Sequence, residues 1–359
     1  MPKTGMRAVK ALLLIAAGVL ALVRLPAAWV ESAYSRGIYA AFQPVITSVT
    51  NQVPFALFDV LAVAATALVL VLVVRAILGS VRRRRLSLLL NGLLNLAVAV
   101  AVVYLVFLIM WGLNYQREPV TAHVAFDRQA VTAQALKDMG AEAARQMNVL
   151  HRLAHDRGFP SWKQLPTTLG PAFRAVHGRF APSARPVPGV PKWSVLTPFF
   201  ERAGVSGMTD PFFLETLVDT DLLPFERPFV AAHEWAHLAG YGDEAEANFL
   251  GWLTCLGGDA TAAYSGWMYL YVEILGGLPR ADRTALARAV DAGPRADLRA
   301  LAERASRIEP ALQAASWQVY DRYLKANRVP EGVKSYSRAL VLVLGTRYAP
   351  GWKPIIVDR

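Results

Sequence analysis

Three long apolar segments in the first third of the chain constrain its fold more than any other feature. They cover about residues 11–30, 55–78 and 86–111. The second and third are long enough to cross a hydrocarbon core of about 30 Å as helices. Over the whole chain, hydrophobic residues make up 54% and charged residues only 18%, a balance typical of proteins with membrane segments. We therefore expect three N-terminal transmembrane helices.

The basic residues around these segments predict an orientation. A run of four arginines, Arg82 to Arg85, separates the second and third segments, and Lys3, Arg7 and Lys10 precede the first. Lys and Arg accumulate on the cytoplasmic side of membrane proteins. The pattern predicts a multi-pass protein of the bacterial cytoplasmic membrane, with everything after Trp111 on the extracytoplasmic side.

The first segment has an alternative interpretation. Basic residues followed by a short apolar core are also typical of a cleaved signal peptide. We favour an uncleaved span, because the apolar character continues beyond Arg24 as far as Val30. Either interpretation leaves the rest of the chain outside the cytoplasm.

The net charge of +11 belongs mainly to the membrane region. Residues 1–113 contain ten Lys or Arg and two acidic residues, whereas residues 114–359 contain 28 basic and 25 acidic residues. The charge therefore indicates the lipid bilayer, and not nucleic acid, as a partner. The single cysteine, Cys255, excludes an intrachain disulfide.

From residue 114 onward the composition is that of a water-soluble domain. Residues 131–157 have the apolar spacing of an amphipathic helix, and Trp193–Leu196 and Thr209–Val218 are predicted as short strands. We expect a membrane-anchored α+β protein. It has a transmembrane region, 1–113, and a mainly helical extracytoplasmic domain with a small β-sheet, 114–359.

The domain contains the run His233-Glu234-Trp235-Ala236-His237, which has the HExxH pattern. Two histidines four residues apart on a helix lie on one face, as two ligands of a tetrahedral zinc ion require. Glu234 is then the candidate general base, which takes a proton from a water that the metal has made more acidic. An apolar run before the motif and Gly240 after it support a buried helix that ends there. The pattern predicts Zn²⁺ as cofactor and metal-assisted hydrolysis.

The third metal ligand has three candidates. Asp243 occupies the place of the third histidine in HExxHxxGxxH proteases, and Glu244 begins an ExxxN pattern similar to the second helix of gluzincin peptidases, in which Asn248 would orient a histidine. Glu246 lies about 200° away from Glu244 on a helix, so both cannot bind one ion. We favour Glu244, followed by Glu246 and then Asp243.

A second pair of histidines, His151 and His155, has the same spacing on the predicted helix 131–157. No acidic residue stands where the HExxH chemistry needs its base. We interpret this pair as part of a solvated helix face.

Several separated blocks carry a family resemblance. They are Trp111-Gly112-Leu113-Asn114-Tyr115, the motif with Glu244 to Phe249, Tyr323 to Asn327, and Gly332 to Tyr336. With the three apolar segments, they resemble the membrane family named domain of unknown function 3810. The likeness of its motif to gluzincin peptidases implies a zincin-like domain, with zinc, a glutamate base and Glu244 as the third ligand. The family commonly has a basic residue at the position of Asp243, so this acidic residue remains an alternative ligand.

The sequence thus predicts a membrane-anchored zinc metallopeptidase with His233, His237 and Glu244 as metal ligands and Glu234 as base. Its expected substrates are peptides or proteins of the cell envelope. Tyr336 is the favoured donor for stabilising the transition state, because it lies in a block of resemblance far along the chain. The alternative function is a catalytically silent, zinc-stabilised structural or interaction protein of the envelope.

Overall fold

The structure is a computed structural model that describes residues 3–83, 86–329 and 338–357. Its first element is the apolar helix α1 (Lys3–Leu22). This helix ends before the predicted boundary at residue 30. Pro26 accounts for the earlier end, because a proline disfavours helical geometry at the residue before it.

The next segment is helical and packs against the later part of the chain. It comprises α2 (Ala27–Trp29), a π-helix (Val30–Tyr39) and α3 (Ala40–Thr50). The buried hydroxyl of Tyr39 donates a hydrogen bond of 2.7 Å to the carbonyl of Leu238. The segment that follows the first apolar helix is thereby attached directly to the region of the HExxH motif.

Two further apolar helices follow, α4 (Leu57–Arg83) and α5 (Leu86–Met110). Together with α1, they are long and apolar enough, by length and composition, to cross a membrane. Helix α5 packs against both α1 and α4. The prediction of three apolar helices near the N-terminus is confirmed.

The rest of the chain is mostly helical, as predicted. Short 3₁₀ segments at Gly112–Gln116, Val120–Ala122 and Arg128–Ala130 lead into it. Its helices are α6 (Ala133–Arg157), α7 (Leu165–Thr168), α8 (Gly170–Phe180), α9 (Thr197–Ala203), α10 (Arg227–Leu238), α11 (Glu244–Leu256), α12 (Ala260–Gly277), α13 (Arg280–Arg288), α14 (Ala292–Ala305), α15 (Pro310–Ala326) and α16 (Arg338–Gly345).

A small sheet accompanies these helices. It contains β1 (Pro191–Lys192), β2 (Gly207–Thr209) and β3 (Thr216–Val218) in the order β1-β3-β2. Strand β3 is parallel to β1 and antiparallel to β2, with Met208 opposite Leu217. A second pair, β4 (Tyr348–Ala349) and β5 (Lys353–Pro354), is antiparallel.

The predicted strands are only partly right. Trp193–Leu196 is not a strand, because the chain turns there into α9. The predicted strand 209–218 is interrupted, since the carboxylate of Asp210 accepts hydrogen bonds from the backbone amides of Phe212 and Phe213 and closes a turn.

Helix α11 lies at the centre of the core, with every residue from Glu244 to Cys255 buried. It packs against α8, α10, α12 and α16. A side chain at Gly251 would place its Cβ 3.0 Å from the backbone nitrogen of His233. The glycine therefore allows a close approach of α10 and α11, which carry the candidate site between them.

Candidate metal centre

Helix α10 presents both motif histidines on one face. Pro228 stands in its first turn, where the missing amide proton costs nothing, and Gly240 follows its end with a φ of 86°. The Nε2 atoms of His233 and His237 lie 3.2 Å apart. The helix thus directs both imidazoles to one point.

Helix α11 brings a carboxylate to the same point. Asp243 caps this helix by accepting hydrogen bonds from the backbone amides of Ala245 and Glu246. The cap starts the helix at Glu244, and the side chain of Glu244 turns toward α10. Its Oε2 lies 3.4 Å from the Nε2 of His233 and 3.5 Å from that of His237.

These three atoms have the spacing that a tetrahedral zinc ion needs. Zinc–nitrogen and zinc–oxygen bonds of about 2.0–2.2 Å place neighbouring tetrahedral ligands roughly 3.3–3.6 Å apart. The Oε2 of Glu244 is also buried without a hydrogen-bond partner among the described residues. The two imidazoles are its ionic neighbours at 3.4 and 3.5 Å, distances that leave room for a shared metal ion. The three side chains therefore fit a metal ion.

The other two candidate ligands are engaged elsewhere. Asp243 caps α11 and faces the guanidinium of Arg338 at 3.4 Å. Glu246 accepts a hydrogen bond of 2.7 Å from the backbone amide of Val120, and burial followed by the proximity of Asp243 raises its pKa to about 8. Of the three acidic residues, only Glu244 lies close to both histidines.

Neighbouring groups hold the ligands in place. The Nδ1 of His237 lies 2.7 Å from the carbonyl of Tyr241, so a proton on Nδ1 leaves Nε2 with its lone pair for a metal. On α15, the hydroxyl of Tyr320 donates a hydrogen bond to Oε1 of Glu244. The expected role of Asn248 does not appear, because no hydrogen bond from it reaches either histidine among the described residues.

The candidate base, Glu234, lies beside strand β2. The hydroxyl of Thr209 is 2.9 Å from its Oε2, and a Cβ at Gly207 would come within 2.7 Å of its Oε1. Burial raises the pKa of Glu234, and the two nearby imidazoles and Thr209 counteract that effect only in part. A raised pKa makes this carboxylate a better proton acceptor near neutral pH.

The protein without metal has a charged pair at this point. Burial acts to lower the pKa of His237, but the carboxylate of Glu244 raises it to about 9. Burial likewise acts to raise the pKa of Glu244, yet the imidazoles hold it well below its usual value. A cation therefore replaces a proton when it binds.

Comparison with known families agrees with the sequence blocks. A family model described as Protein of unknown function (DUF3810) matches residues 34–344. The chain belongs to this family. No curated protein and no solved structure matches the chain. Since the DUF3810 description includes no activity, the chemistry of this site has to be argued from its own geometry.

Two predicted site features of this DUF3810 chain have other outcomes. Tyr336 lies outside the described residues, so its role stays a prediction. Sequence reasoning missed Tyr320, although it lies only three residues before the family block that starts at Tyr323. Tyr320 and Tyr323 are three residues apart and therefore lie on one helix face, and this spacing could have indicated Tyr320 from the sequence.

The second histidine pair does not lie on a simply solvated face. His155 Nε2 is 2.8 Å from Oδ2 of Asp297 on α14, and His151 Nε2 is 3.6 Å from the same atom. The hydroxyl of Tyr264 donates a 2.6 Å hydrogen bond to that oxygen as well. The expectation for this pair missed Asp297, which is distant in sequence and mostly buried.

Proposed function

We propose that this chain is a membrane-anchored, zinc-dependent metallopeptidase with a zincin-like domain. The observation that carries the proposal is the triangle of ligand atoms on His233, His237 and Glu244, with sides of 3.2, 3.4 and 3.5 Å. The buried carboxylate of Glu234, the proposed base, interacts electrostatically with all three of these side chains. A zinc ion that only stabilised the fold would not need a general base next to its ligands.

The residues of the chain have distinct parts in the reaction. When bound, zinc supplies Lewis-acid stabilisation of developing negative charge and makes water a stronger acid. Glu234 takes the proton from the attacking water and passes it to the leaving amine. Thr209 holds the base in position through a hydrogen bond, and Gly207 leaves room for the base because it has no side chain. Tyr320 positions Glu244.

The neighbouring strand favours a polypeptide substrate. In the order β1-β3-β2, strand β2 has one edge paired with β3, and within the described residues no further strand pairs with its other edge. An extended peptide adds to such an edge through backbone hydrogen bonds. This strand, and not the predicted segment 209–218 as a whole, is the proposed substrate edge.

The proposed location is the bacterial cytoplasmic membrane, with three spans and the domain from residue 114 outside the cytoplasm. The three apolar helices support membrane anchoring. The orientation rests on the basic residues Arg82 to Arg85 and the N-terminal lysines and arginine. The partners are then the bilayer and envelope polypeptides.

The substitution Glu234→Gln tests the proposal. The amide keeps the shape of the side chain but cannot accept the proton, so we expect hydrolysis to fall about 10²–10⁴-fold while zinc and folding are retained. Glu303→Gln, the same change at an exposed position of α14, is the matched control and should have no effect. Hydrolysis that is unchanged in Glu234→Gln would contradict the proposed base, whereas bound zinc without hydrolysis in the natural chain would favour the silent structural alternative.

A further inference from the structure

The candidate metal centre is attached to the ends of the apolar helices. Trp111 directly follows Met110, the last residue of α5. Its indole nitrogen donates a 2.9 Å hydrogen bond to the carbonyl of His237, and the two rings meet edge to face at 6.3 Å. A metal ligand is thus in contact with the first residue beyond a candidate span.

The small sheet is attached to the neighbouring helix in the same way. The buried ammonium group of Lys192 on β1 binds the carbonyl of Phe55 at 3.3 Å, and Glu215 accepts a 3.0 Å hydrogen bond from the amide of Phe58 in the first turn of α4. Leu217 of β3 belongs to the same buried apolar cluster as Ala56. The sheet that contains the proposed substrate edge therefore lies directly on the start of α4.

Helix α15, which contributes Tyr320 to the candidate site, also contacts this end of the apolar helices. On α15, the ring of Tyr323 packs against Phe107 of α5 at 6.4 Å. Arg328, just beyond α15, donates hydrogen bonds to the carbonyls of Leu20, Ala21 and Val23 at the end of α1. One turn before Tyr323 is Tyr320, which holds Glu244.

An exposed apolar loop, Trp193 to Val195, lies next to these helix ends. Asp59 in the first turn of α4 binds the hydroxyl of Ser194 and the amide of Val195, which places this loop beside the end of α4. The side chains of Trp193 and Val195 are 63% and 56% exposed. Exposed tryptophan and aliphatic side chains at the end of a span are typical of the membrane interface.

From these contacts, and on the basis of the proposed peptidase function, we propose that the substrates are polypeptides anchored in the same bilayer and cut in the first residues that leave it. The base, the ligands and the substrate edge are all fixed to the same ends of α1, α4 and α5. An extended chain advances about 3.3–3.6 Å per residue, so the ten residues that follow a span reach at most about 33–36 Å from its end. Anchoring also confines enzyme and substrate to one surface, which raises their effective concentration.

The test compares the protein N-termini in the combined membrane and soluble fractions of cells that contain the natural chain with those of cells that contain Glu234→Gln. Termini that depend on Glu234 should lie within about ten residues of the ends of membrane spans, on the extracytoplasmic side. We expect them to outnumber Glu234-dependent termini in soluble proteins by about a hundredfold, the scale of a confinement effect.

The outcomes separate the substrate class from the activity. Glu234-dependent termini spread through soluble envelope proteins, or far from any span, would overturn the proposed substrate class and leave the peptidase function standing. An identical set of termini in both kinds of cell would contradict the peptidase function, and the substrate class with it. A second variant, Trp193→Glu with Val195→Glu, should reduce the span-proximal termini at least about tenfold while leaving bound zinc unchanged, because it removes the apolar side chains that would rest in the membrane interface.

Discussion

Two clusters in this molecule have nearly the same composition. Each contains two histidines one helical turn apart, on α10 and on α6, and each meets a buried carboxylate from another helix. Each carboxylate also accepts a hydrogen bond from a tyrosine, Tyr320 on Glu244 and Tyr264 on Asp297. The residue types alone therefore do not separate a metal centre from a hydrogen-bonded network.

The distances and the surroundings separate them. In the His233 cluster the three ligand atoms stand 3.2–3.5 Å apart, and one carboxylate oxygen has no hydrogen-bond partner among the described residues. In the other cluster, His155 and Asp297 are already at a hydrogen-bonding distance of 2.8 Å, and the side chain of His155 is 38% exposed. A metal would complete the first cluster, whereas the second is already satisfied. We infer that unmet bonding capacity, and not residue count, favours the His233 cluster as the metal site.

The largest difference between the two clusters is expected when the carboxylate of each one, Glu244 or Asp297, is removed. Glu244→Ala should weaken zinc binding at least about a hundredfold, because loss of outer-shell partners alone costs 10–100-fold. Asp297→Ala should leave zinc affinity unchanged and lower the free energy of unfolding by about 1–3 kcal/mol, since the buried hydroxyl of Tyr264 loses its acceptor. Zinc titration and denaturant unfolding measure the two effects. Equal zinc affinity in both variants would erase the distinction between the clusters.

The two tyrosines provide a smaller contrast. Tyr320→Phe should reduce zinc affinity about 10–100-fold, because the hydroxyl orients Glu244. Tyr264→Phe is the matched control, with the same atom removed beside the other carboxylate, and should leave zinc affinity unaltered. If Tyr320→Phe binds zinc as the natural chain does, the contact with Glu244 has no positioning role.

The smallest contrast concerns proton binding in the metal-free protein. His237 should titrate near pH 9, because the ionised Glu244 favours its charged form, whereas burial and the neighbouring His155 lower the pKa of His151 below its usual value of 6.5. Since a proton and zinc compete for the Nε2 of His237, apparent zinc affinity should fall as the pH is lowered below about 9. Histidine NMR, with each signal assigned by substitution, measures both values. Zinc binding should abolish the titration of His237 and leave that of His151 unchanged. The reverse result would place the metal in the cluster of His151 and His155 and contradict the account.

The features that were predicted from sequence are those encoded locally. The spacing of His233 and His237 lies within one helical turn, and the apolar length of α4 and α5 is visible in the chain itself. Short strands of two or three residues have no detectable period, which is why Trp193–Leu196 was predicted wrongly. The end of the first span was predicted too late in the chain because the apolar character continues past Pro26.

The unpredicted parts of the site come from distant segments. Gly207 matters only because β2 lies against Glu234, and Asp297 meets His155 only through the packing of α14 on α6. Tyr320 reaches Glu244 from 76 positions further along the chain. Such contacts depend on tertiary packing, so a local pattern in the sequence does not identify the residue that each side chain meets.

Elemental analysis of the purified chain, together with His237→Ala and His155→Ala, tests the central claim most directly. The account predicts one zinc ion in the natural chain, none in His237→Ala, and one in His155→Ala, because only the first histidine belongs to the triangle of ligand atoms. A full complement of zinc in His237→Ala, or its loss in His155→Ala, would contradict the assignment of the metal centre to His233, His237 and Glu244.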